Sequence, residues 1–305
     1  MEKIIVFGHK SPDTDTICSS LVMADLQTKI RGEEVVACRL GELNEETKYA
    51  LKYFDIEAPK YIESVEEGQR VMLVDHNEFS QSVEGIEKAK IEAVVDHHRI
   101  NNFETSEPLF YYAQPVGCTA TILFELYKIN NIEIEAKIAG LMLSAIISDT
   151  LLLKSPTTTE KDKKALAELA KIANVDVENY GLEMLKAGTN LDKYTEDELI
   201  RLDAKKIEKE DIKYVIAQVN TVSIPDVLKR KAKIEQEINK EILAKGLSLF
   251  VFVITDIVNS NSEAIVLGDR IDAISKTYEI KDNIAVMPGV VSRKKQILPL
   301  VEKNI

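Results

Sequence analysis

The segment Ile4–Asp15, with the sequence IIVFGHKSPDTD, joins a short apolar run to a polar loop that carries one histidine and two aspartates. Its first part, Ile4–Phe7, predicts a buried strand, because a continuous apolar run bounded by a loop is typical of parallel sheets. The apolar spacing from Ile17 to Ile30 predicts a helix that ends near Gly32. The chain therefore opens with a strand, an acidic loop and a helix, the unit from which parallel α/β sheets are built.

Two further apolar runs end in the same kind of residue. Val71–Val74 leads into Asp75-His76-Asn77, and Ile91–Val95 leads into Asp96-His97-His98. The other predicted elements of this region are strands Val35–Leu40 and Leu109–Tyr112 and helices Glu45–Phe54, Thr119–Asn130, Glu135–Ser148, Thr159–Ala173 and Val177–Leu185. Apolar strands that alternate with helices indicate an α/β domain with a mainly parallel, doubly wound sheet covered on both faces.

The pattern changes in the last third of the chain. Strands are predicted at Tyr214–Val219, Leu249–Asp256 and Glu263–Leu267, around one long helix, Ile224–Leu243. This order predicts a smaller α/β domain with a mixed sheet. A chain of 305 residues is long enough for two domains, and we expect them at residues 1–187 and 193–305, joined by a linker at 188–192 that is rich in turn residues.

Composition excludes several classes of function. The formal net charge of −12 opposes nonspecific binding to nucleic acid or to anionic membranes. The glycines form neither a dinucleotide-binding fingerprint nor a phosphate-binding P-loop. No apolar stretch approaches the roughly 20 residues of a membrane span, and the first residues are not predicted to be a signal peptide. Three widely spaced cysteines favour a reducing compartment, so a cytoplasmic protein is expected.

All four histidines lie in the first third of the chain, beside the aspartates that follow predicted strands. Because parallel strands present their carboxyl ends at one edge of the sheet, these side chains are expected to converge. Clustered carboxylates with few imidazoles and no thiolate favour Mn²⁺, Mg²⁺ or Co²⁺. The number of donors predicts a two-metal site with Asp75 as a bridging ligand.

Each of these residues also has a structural interpretation. Asp13 and Asp15 suit a turn or a helix N-cap, Asp75 could cap a helix, and His97 with His98 could form a hydrogen-bonded pair in the core. The occurrence of all of them at strand ends favours the metal site.

The sequence resembles the DHH phosphoesterase superfamily in GHKSPDTDT (Gly8–Thr16), VDHN (Val74–Asn77) and VDHH (Val95–His98). Within that superfamily, GVVSRKKQ (Gly289–Gln296) resembles the manganese-dependent family II inorganic pyrophosphatases. SDT (Ser148–Thr150) and DAK (Asp203–Lys205) fit the same family, in its compact form without an inserted CBS pair.

The resemblance implies a set of site residues. The metal ligands would be His9, Asp13 and Asp75 for one ion and Asp15, Asp75, His97 and Asp149 for the other. The catalytic and substrate-binding residues would be His98, Lys205, Arg293 and Lys294. Asp96 is expected to orient an imidazole, while the roles of His76 and Lys295 stay open.

The implied reaction is hydrolysis of pyrophosphate to two phosphates by a hydroxide that bridges two metal ions. The expected ions are two Mn²⁺ per site, or more with substrate, with Co²⁺ or Mg²⁺ as substitutes, and the site would lie in the cleft between the domains. A cytoplasmic homodimer that binds neither nucleic acid nor membranes is implied. Two alternatives stay open: a DHH phosphoesterase acting on short polyphosphate or nucleotides, and a noncatalytic metal-dependent phosphate-binding regulator.

Overall fold

A computed structural model describes residues 3–209 and 212–305, apart from the side chains of residues 294 and 295. The chain forms two compact units, of which the first ends at Gly188 and the second begins at Thr189. Gly188, the first residue of the predicted linker, is the last residue of a helix. Among the described residues, no helix combines the length and the apolar character that crossing a membrane requires.

The first unit alternates strands and helices. Its strands are β1 (Ile4–Phe7), β2 (Val35–Arg39), β3 (Lys60–Tyr61), β4 (Arg70–Val74), β5 (Lys90–Asp96) and β6 (Phe110–Ala113). Its helices are α1 (Thr14–Arg31), α2 (Glu45–Tyr53), α3 (Thr119–Ile129), α4 (Ala136–Thr150), α5 (Glu160–Ala173) and α6 (Val177–Gly188).

These strands form one sheet in the order β3-β2-β1-β4-β5-β6, and each of the described pairings is parallel. The predicted parallel sheet is therefore confirmed. The strand order reverses between β1 and β4, and in open α/β sheets the crevice at this reversal is where ligands bind. The register aligns Phe7 with Leu73 and Val74 with Val95, so β1, β4 and β5 end side by side.

Both faces of this sheet are buried, and alternate residues of each strand belong to opposite faces. Phe7, Val71 and Leu73 pack on one face with Val83 and Ile86, which belong to the segment between β4 and β5. The helices α1, α3 and α4 pack against one another, and α1 contacts β1, β2 and β4. Helix α1 begins at Thr14, three residues before the predicted start, because the Asp13 carboxylate caps it by accepting the Thr16 N–H.

The second unit is built on a mixed sheet, as predicted. Its strands are β7 (Ala204–Lys209), β8 (Ile212–Thr221), β9 (Leu249–Asp256), β10 (Asn261–Leu267), β11 (Ile280–Lys281) and β12 (Ile284–Met287). Its helices are α7 (Glu196–Leu199), α8 (Ile224–Leu228), α9 (Lys231–Lys245), α10 (Asp272–Ser275) and α11 (Leu298–Asn304). The order is β11-β12-β10-β9-β8-β7, with β8 and β9 parallel and the other described neighbours antiparallel.

The prediction of one long helix at Ile224–Leu243 was wrong, because the chain turns between α8 and α9. Arg230 lies at this turn, and its guanidinium donates hydrogen bonds to the carbonyl oxygens of Leu191 and Tyr194 and to the Glu196 carboxylate. These contacts hold the turn against the segment that precedes the sheet. Apolar residues continue with helical spacing on both sides of the turn, so the sequence pattern does not show it.

Candidate metal centre and cationic residues

Three adjacent strands deliver the central side chains of the candidate metal centre. His9 follows β1, Asp75 follows β4 and His97 follows β5. The Nε2 atom of His9 lies 3.5 Å from Asp75 Oδ2, and the Nε2 atom of His97 lies 3.4 Å from Asp75 Oδ1. Asp75 therefore faces a histidine with each of its two carboxylate oxygens.

One group of possible ligands consists of His9, Asp13 and Asp75, whose donor atoms lie within 4.8 Å of one another. Asp13 Oδ2 is 3.5 Å from His9 Nε2. Asp13 also caps α1 through its other oxygen, so the predicted cap and the proximity to the site occur together.

A second group consists of Asp15, His97 and Asp149, again within 4.8 Å. Asp15 is fully buried in the first turn of α1 and accepts hydrogen bonds from the backbone N–H groups of Thr119 and Ala120, at the start of α3. Asp149 lies in the last turn of α4, and its Oδ2 is 3.8 Å from His97 Nε2. An aspartate is disfavoured at a helix C-terminus by the helix dipole, so this position favours a functional role.

Hydrogen bonds fix the orientation of these side chains. The Nδ1–H groups of His9 and His97 donate to the carbonyl oxygens of Lys10 and Val116, at 2.7 and 3.0 Å, which leaves each Nε2 directed at the carboxylates. Asp75 adopts a left-handed backbone conformation with φ of 59°. Strain of this kind is concentrated at functional sites.

Burial and neighbouring carboxylates raise the pKa values of two of the aspartates, Asp15 and Asp149. Burial, together with the negative charge of Asp75, raises the pKa of Asp15 to about 7. Burial and the charge of Asp15 hold the pKa of Asp149 well above its usual range. Burial opposes the charged form of His9, but Asp13 and Asp75 outweigh it and raise the pKa of His9 to about 9. The cluster therefore attracts cations.

The donor set fits a hard or borderline divalent cation such as Mn²⁺. Two ligands at about 2.1 Å from one ion are about 3 Å apart when they subtend a right angle, and the N···O separations described above are of this order. The nearby thiols of Cys18 and Cys118 are unsuited to bind it, because burial raises the pKa of both well above the usual value.

His98 lies at the edge of the centre, where its side chain is half exposed. Its Nδ1 is 2.9 Å from Asp96 Oδ1, which also accepts the His98 backbone N–H. Asp96 thus contacts an imidazole, as the sequence suggests, and its second oxygen accepts a hydrogen bond from Asn77. His76 points away from the ligands, since its ring nitrogens contact the Val74 carbonyl and the Ser82 hydroxyl.

The cationic residues singled out by sequence lie in the second unit. Lys205 is an exposed residue of β7. Arg293 lies in a π-helical turn at Arg293–Ile297, and its guanidinium forms an ion pair of 2.8 Å with Asp203, two residues before Lys205. The structure therefore places Arg293 against the Asp203–Lys205 segment. The side chains of Lys294 and Lys295 lie outside the described residues.

Gln218 supports the arginine, and sequence analysis did not identify it. Its side-chain oxygen accepts the backbone N–H of Arg293, while its amide donates to the Val291 carbonyl and to the Thr255 hydroxyl. The feature of the sequence that could have identified Gln218 is its position as a glutamine within an apolar strand. Asn77 was also missed, although it lies only two residues after the predicted ligand Asp75.

Two family models match this chain. The family model described as the DHH family, N-terminal domain, matches residues 3–146, and that of the DHHA2 domain matches residues 182–304. A Bacillus subtilis protein named manganese-dependent inorganic pyrophosphatase is 54% identical over 99% of this chain and 98% of its own. An Exiguobacterium relative, named "probable manganese-dependent inorganic pyrophosphatase", is 56% identical over 99% of this chain and 98% of its own.

A solved structure is also similar over the whole length. It is a Methanococcus jannaschii protein described as a "putative family II inorganic pyrophosphatase", with a TM-score of 0.64 and 39% identity over 99% of each chain. Because the match covers nearly all of both chains, neither chain contains a large inserted domain that the other lacks. The predicted family is confirmed: this chain belongs to the manganese-dependent inorganic pyrophosphatases and carries a DHH domain followed by a DHHA2 domain.

Proposed function

We propose that this chain hydrolyses inorganic pyrophosphate to two phosphates with the help of Mn²⁺. The observation that carries the proposal is that one carboxylate–histidine group contains Asp75, while His97 of the second group lies 3.4 Å from the same carboxylate. One ion would be held by His9, Asp13 and Asp75, and the other by Asp15, Asp75, His97 and Asp149. Relatives at more than 50% identity that bear the name of this activity support the assignment.

Bound divalent cations would neutralise the charge of phosphate oxygens and acidify the water that attacks phosphorus. The protein's own task is to hold the ligands in place and to receive the substrate. Lys205, Arg293 and Lys294 are proposed to bind the phosphate groups, since a guanidinium offers a planar fork and an ammonium a compact charge for phosphate oxygens. The ion pair with Asp203 and the contact with Gln218 would orient Arg293 for this role.

His98 is the proposed proton donor to the departing phosphate. Its contact with Asp96 raises the pKa of its imidazole above the ordinary value, although burial opposes this, and so favours the form that can donate a proton. Its half-exposed position would leave Nε2 accessible to substrate. A carboxylate partner of this kind also keeps the ring in one orientation.

We further propose that the protein acts in the cytoplasm as a homodimer, without binding nucleic acid or membranes. The three free, buried cysteines support a reducing compartment, and the charge of −12 disfavours polyanionic partners. In this scheme residues 1–187 form the metal-binding domain, 188–192 the linker and 193–305 the substrate-binding domain.

Phosphate release tests the proposal directly. The purified chain, loaded with Mn²⁺, is offered pyrophosphate, tripolyphosphate or a dinucleotide under the same conditions. We expect rapid release of phosphate from pyrophosphate and little reaction with the other two. Because cleavage of a dinucleotide yields mononucleotides and no free phosphate, that reaction is followed by chromatography of the nucleotides. Preferential cleavage of the dinucleotide or of tripolyphosphate would identify a different phosphoesterase, and binding of pyrophosphate without hydrolysis would identify a noncatalytic protein.

A further inference from the structure

Glu46 is a half-buried carboxylate that belongs to neither of the groups of candidate ligands described above. It lies in the first turn of α2, whose N-cap is Asn44. Burial raises the pKa of Glu46, although hydroxyl contacts oppose the shift. A carboxylate in such a position is unfavourable unless it accepts hydrogen bonds. The groups that donate to Glu46 therefore indicate its role.

One oxygen of Glu46 accepts hydrogen bonds from two different helices. Thr14 Oγ1, in the first turn of α1, donates to Glu46 Oε1 at 2.9 Å. The hydroxyl of Ser148, in the last turn of α4, donates to the same oxygen. The Thr14 hydroxyl also contacts the Thr47 hydroxyl at 3.1 Å, which ties α1 to α2 a second time.

Both donors are neighbours of candidate metal ligands in the chain. Thr14 lies between Asp13 and Asp15, and Ser148 directly precedes Asp149. The Glu46 carboxylate thus joins the two helix ends that supply three of the six proposed ligands. Gly188 packs against the same side chain, because a Cβ atom at Gly188 would come within 2.9 Å of Glu46 Oε2.

We propose that Glu46 is a positioning residue for the metal site: it sets the spacing between the start of α1 and the end of α4. The proposal rests on the ligand set assigned above. It predicts that Glu46 acts through its acceptor oxygen and through hydroxyl groups, rather than by its negative charge. Residues that orient metal ligands in this indirect way commonly change metal affinity by about 10–100-fold.

Manganese affinity measured by calorimetry on the chelated full-length protein tests the proposal. Glu46→Ala, which removes the acceptor, is expected to weaken Mn²⁺ binding by about 10–100-fold. Glu46→Gln keeps a carbonyl oxygen in the same place, so its dissociation constant should stay close to that of the wild type. Wild-type affinity in Glu46→Ala would overturn the proposal, and so would an equal loss in both variants, since charge would then be the cause.

Glu45→Ala is the matched control, because Glu45 is an exposed residue of the same helix turn that pairs with Lys48. Its Mn²⁺ affinity should be that of the wild type, and a loss equal to that of Glu46→Ala would overturn the proposal. If circular dichroism shows that Glu46→Ala does not fold, Mn²⁺ affinity is measured instead on Thr14→Val and Ser148→Ala, each of which removes one hydroxyl donor to Glu46. Each should weaken Mn²⁺ binding, and wild-type affinity in both contradicts the inference.

The failure of this inference and the failure of the proposed function are distinguishable. Wild-type protein that binds Mn²⁺ but releases no phosphate from pyrophosphate would contradict the function alone. The ratio of dissociation constants between the Glu46 variants and the wild type would still report on positioning.

Discussion

Asp75 belongs to one group of candidate ligands and contacts His97 of the second. Each of its oxygens faces the Nε2 atom of a different histidine, and each also accepts a hydroxyl hydrogen bond, from Thr16 or from Thr119. The side chain is almost entirely buried, and the backbone of Asp75 is left-handed. A neutral amide of the same shape would keep the packing and lose the charge.

Asp75→Asn should therefore lose metal affinity and activity together while the fold persists. Even residues outside the ligand set can change metal affinity by about 10–100-fold, so loss of a shared ligand should weaken Mn²⁺ binding by more than about 100-fold. His97→Ala should behave similarly. Asp55→Asn, at an exposed aspartate paired with Lys137, is the control. Wild-type turnover and metal content in Asp75→Asn would show that the residue is structural.

Arg293→Ala should leave Mn²⁺ binding unchanged and lower the turnover of pyrophosphate by about 100-fold or more, the usual effect of removing a group that stabilises charge in the transition state. Arg293→Lys should recover little, since a point charge does not replace the planar fork. Steady-state kinetics measure this, with Arg270→Ala as the control because Arg270 pairs with Asp272 on the same unit. Normal turnover in Arg293→Ala would remove this residue from the site.

At the residue scale, local sequence predicts the ligands that follow apolar strands, including Asp15 at the start of α1, and misses the one at the end of α4. Asp75 and His97 were predicted from their position alone, and the structure places them side by side. Asp149 came only from the family resemblance, because the pattern alone makes Ser148–Thr150 a helix end, where an aspartate is read as a cap. Glu46 gave no signal, since its importance comes from contacts with residues far away in the chain.

At the scale of elements, a row of polar side chains crosses the buried sheet of the second unit. It runs from Gln218 on β8 through Thr255 on β9 to Ser262 on β10, whose hydroxyl donates to the Val290 carbonyl. Together with the contacts of Gln218 to Val291 and Arg293, this row fixes the loop that carries the arginine.

Gln218→Ala should reduce kcat/KM for pyrophosphate by roughly tenfold, since hydrogen bonds worth about 1 kcal/mol each are lost from the loop. Binding of Mn²⁺ should stay at the wild-type level. The check is a comparison of steady-state kinetics with metal calorimetry, and Asn220→Ala, an exposed position on the same strand, is the control. An unchanged kcat/KM would show that the loop holds its conformation without Gln218.

Continuous apolar runs predicted β1, β4 and β5 because these strands are largely buried, whereas β3 and β11, of two residues each, were missed. Periodicity failed for β7, whose residues are mostly exposed and therefore show no apolar alternation, and for β12, whose four residues are too few to show a pattern. The break between α8 and α9 depends on contacts of Arg230 with a distant segment. Elements specified by tertiary contacts are not visible in a local pattern.

At the scale of the whole molecule, the carboxylate–histidine cluster couples stability to pH. In the metal-free protein the pKa of Asp15 is raised to about 7 by burial and by Asp75, and that of His97 to about 9 because carboxylates outweigh burial. A group with a raised folded-state pKa stabilises the fold at low pH, and this contribution is lost as pH rises through that value.

The free energy of unfolding of chelated protein should therefore fall as pH rises from about 6.5 towards 9, as measured by urea titration at several pH values. Added Mn²⁺ should stabilise more at the higher pH, because its ligands must be deprotonated to bind. His97→Gln, which cannot titrate, should show a shallower fall. A stability of the chelated protein that increases with pH across this window would contradict the coupling.

The central claim is that metal ions held around Asp75 are required for hydrolysis of pyrophosphate. The most direct measurement follows phosphate release and bound manganese in the same sample, first after exhaustive chelation and then as Mn²⁺ is added back. The expected result is loss of activity on chelation and recovery that reaches its maximum only when at least two Mn²⁺ ions are bound per chain, with Co²⁺ more effective than Zn²⁺ or Ca²⁺ as a replacement. Full release of phosphate from pyrophosphate by the chelated protein would contradict the account.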